Sequence, residues 1–83
     1  MYYHKGRVYE IIELKNRQLA SCSEDKSIII YFKDKNEYEI DYKIKTNNDC
    51  ISVIQTKNNE IVYCELLYRW NHKFCFYDLL EKK

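Results

Sequence analysis

The apolar positions of this chain recur with a period of two. Between residues 37 and 45, Tyr38, Ile40, Tyr42 and Ile44 alternate with Glu37, Glu39, Asp41, Lys43 and Lys45. Successive strand residues point to opposite faces, so this run predicts a half-buried strand with one wet, charged face. The charges also suit an outer edge, because they discourage pairing with a stray chain. The run Ile28-Ile29-Ile30-Tyr31-Phe32 is apolar throughout, as expected of a strand covered on both faces. Further strands are predicted over Val8–Leu14, Gln18–Ser23, Cys50–Gln55, Glu60–Leu66 and Lys73–Leu79. The connections Lys15-Asn16-Arg17, Ser23-Glu24-Asp25-Lys26 and Lys57-Asn58-Asn59 are short and polar, as hairpin loops are. Gly6 is the only glycine, so Asn and Asp are expected to supply the left-handed turn residues. Seven short strands joined mainly by hairpins, with no helix, predict an all-β antiparallel fold.

Displacing the chain by 42 residues lays Gly6–Cys22 over Asn48–Cys64. Identities fall at Ile12/Ile54, Lys15/Lys57, Asn16/Asn58 and Cys22/Cys64, and apolar positions match at Val8/Cys50, Tyr9/Ile51, Ile11/Val53 and Leu19/Ile61. The shared strand-turn-strand pattern divides the chain into repeat units of about 4–45 and 46–80. A period of this size, about 40–45 residues in an all-β chain, is the length of one four-stranded propeller blade.

The motifs carry the same reading. His4-Lys5-Gly6-Arg7-Val8 is followed by Leu19-Ala20-Ser21-Cys22-Ser23-Glu24-Asp25-Lys26-Ser27-Ile28-Ile29-Ile30-Tyr31. This resembles a WD40 repeat, in which a His precedes a Val by four and a small-residue strand leads through Asp into an apolar strand. The resemblance implies a buried hydrogen-bonded network of His4, Ser21, Asp25 and Tyr31, with Tyr31 standing where the family has Trp and Phe32 where it has the final Asp. In the second unit Asn71-His72-Lys73-Phe74-Cys75-Phe76-Tyr77-Asp78-Leu79 is similar to the family's repeat ending, with Asp78 retained. Its counterparts of the network are Thr46, Tyr63, Asn71 and Tyr77, a set that departs from the family at the His and Ser positions. No Gly-His or Trp-Asp dipeptide occurs. The resemblance implies about two blades, one strand short of complete. Closed propellers typically have about four to eight blades, so the chain is expected to assemble with copies of itself or to belong to a longer propeller.

Composition and charge narrow the function. The 83 residues suit one small domain or a fragment, and 46% of them are hydrophobic, which excludes a disordered chain. A net charge of +1 gives no overall electrostatic footprint for nucleic acid or an anionic membrane, and no run is long and apolar enough to span one. Lys, Asn, Ile and Tyr share AT-rich codons, which lowers the weight of the 11 lysines as evidence for a polyanion partner. Cys22, Cys50, Cys64 and Cys75 lie 28, 14 and 11 residues apart, with no CxxC pair and with His4 and His72 distant in sequence, so neither a metal site nor another cofactor is expected. With no leader segment apparent, the cysteines read as small buried hydrophobes in a reducing compartment, the cytoplasm or another intracellular space.

His4, Asp25 and Ser21 could be read as a nucleophilic set, but no Gly-x-Ser-x-Gly elbow accompanies Ser21 and no enzymatic activity is expected. The connection after Cys64 is four residues longer than that after Cys22, and it holds Tyr68, Arg69 and Trp70, residue types enriched at binding hot spots. With Lys5, Arg7, Asn48 and Asp49 these form the candidate surface for a protein partner, or a self-assembly contact. The alternative function is single-stranded nucleic-acid binding through Tyr and Lys on a small OB- or SH3-like barrel.

Overall fold

Seven strands account for the apolar runs. In the computed structural model, which describes residues 3–83, they are β1 (Val8–Glu13), β2 (Leu19–Ser23), β3 (Ser27–Asp34), β4 (Glu37–Lys45), β5 (Asp49–Lys57), β6 (Glu60–Leu66) and β7 (His72–Asp78). They form two antiparallel sheets, β1-β2-β3-β4 and β5-β6-β7. The fold is all-β, and among the described residues the only helical element is the single turn Tyr68–Trp70. No helix among the described residues is long and apolar enough to cross a membrane. The sheets do not join into a closed barrel, because β4 and β7 each pair with one neighbour only. That geometry removes the OB- or SH3-like barrel as a description of the chain.

The 42-residue offset is preserved in the ladders. Glu10 pairs with Cys22 as Ser52 pairs with Cys64, and Ile12 pairs with Ala20 as Ile54 pairs with Val62. Both ladders slip at the same point, leaving Tyr9 and Ile51 as the extra residues of two equivalent bulges. Beyond the longer second connection the offset becomes 46, so that Ile28, Ile30 and Tyr31 correspond to Phe74, Phe76 and Tyr77.

The sheets stack through unlike faces. The first sheet offers the side bearing Ile12, Ala20, Cys22, Ile28, Ile30 and Ile44, and the second the side bearing Val53 and Ile61. β5 makes most of this contact, lying against β1 and β2 and touching β3. The product is a plate 17 Å thick along its shortest axis, thin enough that one layer of side chains between two sheets about 10 Å apart is its whole interior. Glu10 fastens the strands that open the two sheets. Its Oε1 accepts the Val53 backbone N–H at 2.8 Å and the Ser52 hydroxyl at 3.0 Å. The Gln55 side-chain oxygen accepts the Lys15 N–H at 2.7 Å, so β1 and β5 run side by side in the same direction.

Three local expectations change. Tyr38, Ile40, Tyr42 and Ile44 do not share one face, because β4 bulges where Ile30↔Tyr42 is followed by Tyr31↔Ile40. Asp41 is the extra residue and is held at 2.8 Å by the Gln18 side-chain amide. Tyr42 and Ile44 thus join the core, while Tyr38 and Ile40 turn to the opposite face beside Tyr31. The run at β3 is buried on both faces only over Ile28–Ile30, and Phe32 is exposed. The left-handed turn residues are Arg17, Lys26, Lys35, Arg69, Trp70 and Lys82 rather than Asn or Asp. Asn16 instead accepts the Gln18 N–H through its side chain, which leaves the left-handed position to the exposed, unbranched Arg17. The cysteines are free, with Cys22, Cys50 and Cys64 buried and Cys75 half-buried.

Glu10→Ala is expected to lower unfolding free energy by about 1–3 kcal/mol in urea titrations, because it strips the buried Val53 N–H of its acceptor. Glu10→Gln, which keeps a side-chain oxygen in place, should cost less.

Candidate functional site

The N-terminal segment crosses the first sheet and places His4 over β2 and the β2–β3 turn. Asp25 can only accept, so His4 Nδ1 carries the proton and donates to its carboxylate, 3.0 Å to Oδ2 and 3.2 Å to Oδ1. His4 Nε2 then accepts the Ser21 hydroxyl at 2.6 Å, and Ser21 Oγ accepts the Tyr31 hydroxyl at 2.8 Å. The four residues implied by the repeat resemblance are joined in this order. Ser27 belongs to the same cluster, since its hydroxyl donates to Asp25 Oδ1 at 2.5 Å. The Lys5 backbone N–H donates to Asp25 Oδ2 at 2.9 Å. One turn residue earlier, Glu24 Oε1 accepts the Arg7 N–H and the Glu24 N–H reaches the Arg7 carbonyl, closing the strap. Gly6 sits in this strap, where a Cβ would come within 2.7 Å of the Glu24 side chain.

The electrostatics follow from these contacts. Burial pushes the Asp25 carboxyl up, but the hydrogen bonds from Ser27, the Lys5 N–H and His4 outweigh it and hold it at about 2. Burial raises the Tyr31 phenol, against a smaller opposing effect of Ser21, so the ring remains a hydroxyl donor. Ser21, His4 and Asp25 have the hydrogen-bond order of an acyl-transfer triad. Ser21, however, lies in mid-strand at 1% exposure, with its oxygen engaged by both His4 and Tyr31.

The second sheet solves the same problem with other residues. Thr46 is buried and donates to the Asn48 carbonyl at 2.8 Å. Tyr63 lies beside Cys75, and burial with the nearby Cys75 and Glu65 pushes its phenol to about 12. Asn71 sits in the β6–β7 connection and Tyr77 packs beneath the core. No side-chain hydrogen bond joins Thr46, Tyr63, Asn71 and Tyr77 among the described residues, so these counterparts do not form a second network. Tyr63 carries a ring where the first unit has the small Ser21, and nothing in the second unit stands in for the imidazole. Glu65 takes over instead. It is fully buried in β6, and its carboxylate accepts the Asn47 N–H at 2.9 Å and the Asn48 side-chain amide at 3.1 Å. The signal for it in the sequence is one charge interrupting the apolar run Ile61–Leu67.

The candidate interaction residues gather at one end of the plate but not at one site. Lys5 and Arg7 flank the β2–β3 turn, while Asn48 and Asp49 enter β5 opposite Leu66. Tyr68–Trp70 form a turn closed by the Leu67 N–H to the Asn71 carbonyl, with Arg69 and Trp70 left-handed and the Arg69 guanidinium 5.6 Å from the Tyr68 ring centre. Trp70 is 80% exposed. Among the described residues no hydrogen bond or stacking contact links this turn to Lys5 or Arg7. No group of three or more His, Cys, Asp or Glu side chains among them could hold a metal ion. Comparison with protein-family models, curated proteins and solved structures finds no match to the chain.

Asp25 has a folded value below its ordinary 3.8, so its stabilisation is complete above about pH 4 and is lost as the pH falls toward 2. Asp25→Asn is expected to cost about 2 kcal/mol at pH 7. The difference between the two proteins in denaturant titrations should shrink as the pH falls through 2 and close below it.

Proposed function

We propose that this chain is a non-enzymatic WD40-like repeat module acting as a protein–protein interaction or assembly scaffold. It would complete a propeller by stacking with copies of itself or as part of a longer propeller. The observation that carries this reading is the stacking of unlike faces. The second sheet presents to the first the side equivalent to Ile11, Leu19 and Ser21, and it buries there the side of the first sheet equivalent to Ile54, Val62, Cys64, Phe74 and Phe76. Each buried face therefore has a twin that is exposed in part, although Ser21, Ile29 and Cys64 on the twin faces are themselves buried. Ile11 is 60% exposed where its twin Val53 is buried, and Phe74 and Phe76 are 69% and 68% exposed where Ile28 and Ile30 are buried. A contact between two different faces on one body can repeat head to tail and closes when its rotation does. Exposed rows of this kind on a small chain mark an interaction surface.

The His4 cluster is assigned a structural role, tying the N-terminal strap to the first sheet, because Ser21 gives a substrate no access. The free buried thiols fit a reducing intracellular compartment such as the cytoplasm.

Sedimentation velocity tests the stacking with Ile11→Glu and Phe76→Glu, both at exposed positions. The unaltered chain should self-associate at micromolar concentration, and each variant alone should associate at least about tenfold more weakly. An equimolar mixture should form a one-to-one dimer, because each variant retains the face the other has lost. A strictly monomeric parent chain, or variants that associate as the parent does, would overturn the proposal. Trp70→Ala should leave association unchanged, since Trp70 lies on neither face; dissociation would make its turn a self-assembly contact.

A further inference from the structure

Lys5, Lys26, Lys43 and Lys45 surround a depression of about 300 Å³ on the exposed side of the first sheet. They converge from three segments: the N-terminal strap, the β2–β3 turn and the end of β4. The backbone fixes this arrangement. Lys45 pairs with Ser27 and Lys43 with Ile29 across the β3–β4 ladder. The Thr46 N–H reaches the Lys26 carbonyl at 2.9 Å, and the Lys5 N–H reaches Asp25. Lys26 holds a left-handed conformation, φ 65°, which turns its side chain out of the hairpin toward the others.

Asp25 is the one carboxylate in the lining, and it is already engaged by His4, Ser27 and the Lys5 N–H. The ion pairs within 4.0 Å among the described residues are His4–Asp25, Arg17–Glu13 and Lys83–Glu81, none of which involves the four lysines. Four ammonium groups against one carboxylate leave three net positive charges around one hollow, on a chain whose total is only +1. Like charges gathered without a counter-charge repel, and a multiply charged anion removes that repulsion while gaining several charge-assisted hydrogen bonds. No aromatic side chain lines the hollow, so nothing there would stack on a base.

We propose that this hollow binds a compact, non-aromatic polyphosphate, with the phosphoryl groups held by Lys5, Lys26, Lys43 and Lys45. The site is separate from the stacked face. The twin contact inside the chain is made chiefly by β5, the counterpart of β1, and not by β7, the counterpart of β3. The β3–β4 end of the first sheet therefore remains open in a head-to-tail stack, and binding does not rest on the assembly.

Isothermal titration of the whole chain with inorganic tripolyphosphate, and separately with inositol hexakisphosphate, tests the site. One or both should bind once per chain with a micromolar dissociation constant at low salt, about tenfold or more weaker when salt is raised to about 200 mM. The arm that binds tells a linear polyphosphate from a phosphorylated polyol. Lys43→Gln with Lys45→Gln should weaken binding at least about tenfold, while Lys33→Gln with Lys35→Gln at the far end of the same hairpin should not. Failure of both probes to bind below millimolar concentration would overturn the proposal. So would equal losses in the two double variants, or tighter binding of a single-stranded oligonucleotide than of either probe. The Ile11→Glu chain should bind as the parent does, which separates failure of this site from failure of the assembly.

Discussion

The contact between β5 and the buried side of the first sheet is the interaction on which the rest of the chain depends. Neither sheet has an interior of its own. Ala20, Cys22, Ile28 and Ile30 lose water only because Val53 and Ile61 lie over them, and the reverse is equally true. The hydrophobic gain from such a contact is non-directional and would tolerate sliding. Glu10 removes that freedom, since its carboxylate accepts from two successive residues of β5 at the bulge common to both ladders. The Cys22 and Cys50 thiols adjoin at the same seam, where the Cys22 neighbour and burial together push the Cys50 thiol up and keep it protonated.

Each sheet also needs something to hold the chain that enters it, and the two sheets use different chemistry for the same purpose. In the first, a charged turn residue is reached through an imidazole and two serine hydroxyls. In the second, a buried strand carboxylate takes the entering Asn47 and Asn48 directly. Both place an anion where backbone N–H groups arrive without a strand partner, so the donors are satisfied and the carboxylates are solvated by the protein. Among the described residues no buried side-chain nitrogen or oxygen lacks a partner.

What could be read from the sequence follows this division. Strand identity and the 42-residue period were visible because they rest on local alternation and turn polarity, and all seven strands lie within two residues of their expected limits. The His4 cluster was visible because its spacing resembles a known repeat. Features set by one long-range partner were not. The Asp41 bulge divides β4 between two faces through a register that no window of nine residues encodes. Glu10 and Glu65 look like ordinary surface acids until the N–H groups they serve are in place. The left-handed Lys and Arg residues escaped for the opposite reason. An unbranched exposed side chain tolerates that conformation for about 1–2 kcal/mol, and a hairpin closed by Asn16 supplies it elsewhere.

The exposed side of the first sheet combines two chemistries that would conflict if they overlapped. At the β3–β4 turn end it is largely apolar, with Tyr3, Leu19, Tyr31 and Tyr38 and the one carboxylate Glu37 around a hollow of about 330 Å³. At the other end it is cationic, with Lys43 and Lys45 beside the β2–β3 turn. The Asp41 bulge draws the boundary between them. A β4 without it would keep Ile40 on the Tyr42 side, and Lys43 would continue a charged row along Asp41 and Glu39. With the bulge, Ile40 and Tyr38 pass to the Tyr31 side, and Lys43 and Lys45 are left together past the break, away from the acids of their own strand. One inserted residue therefore both brings Tyr38 and Ile40 to the side of Tyr31 and separates Lys43 and Lys45 from the acids of their own strand.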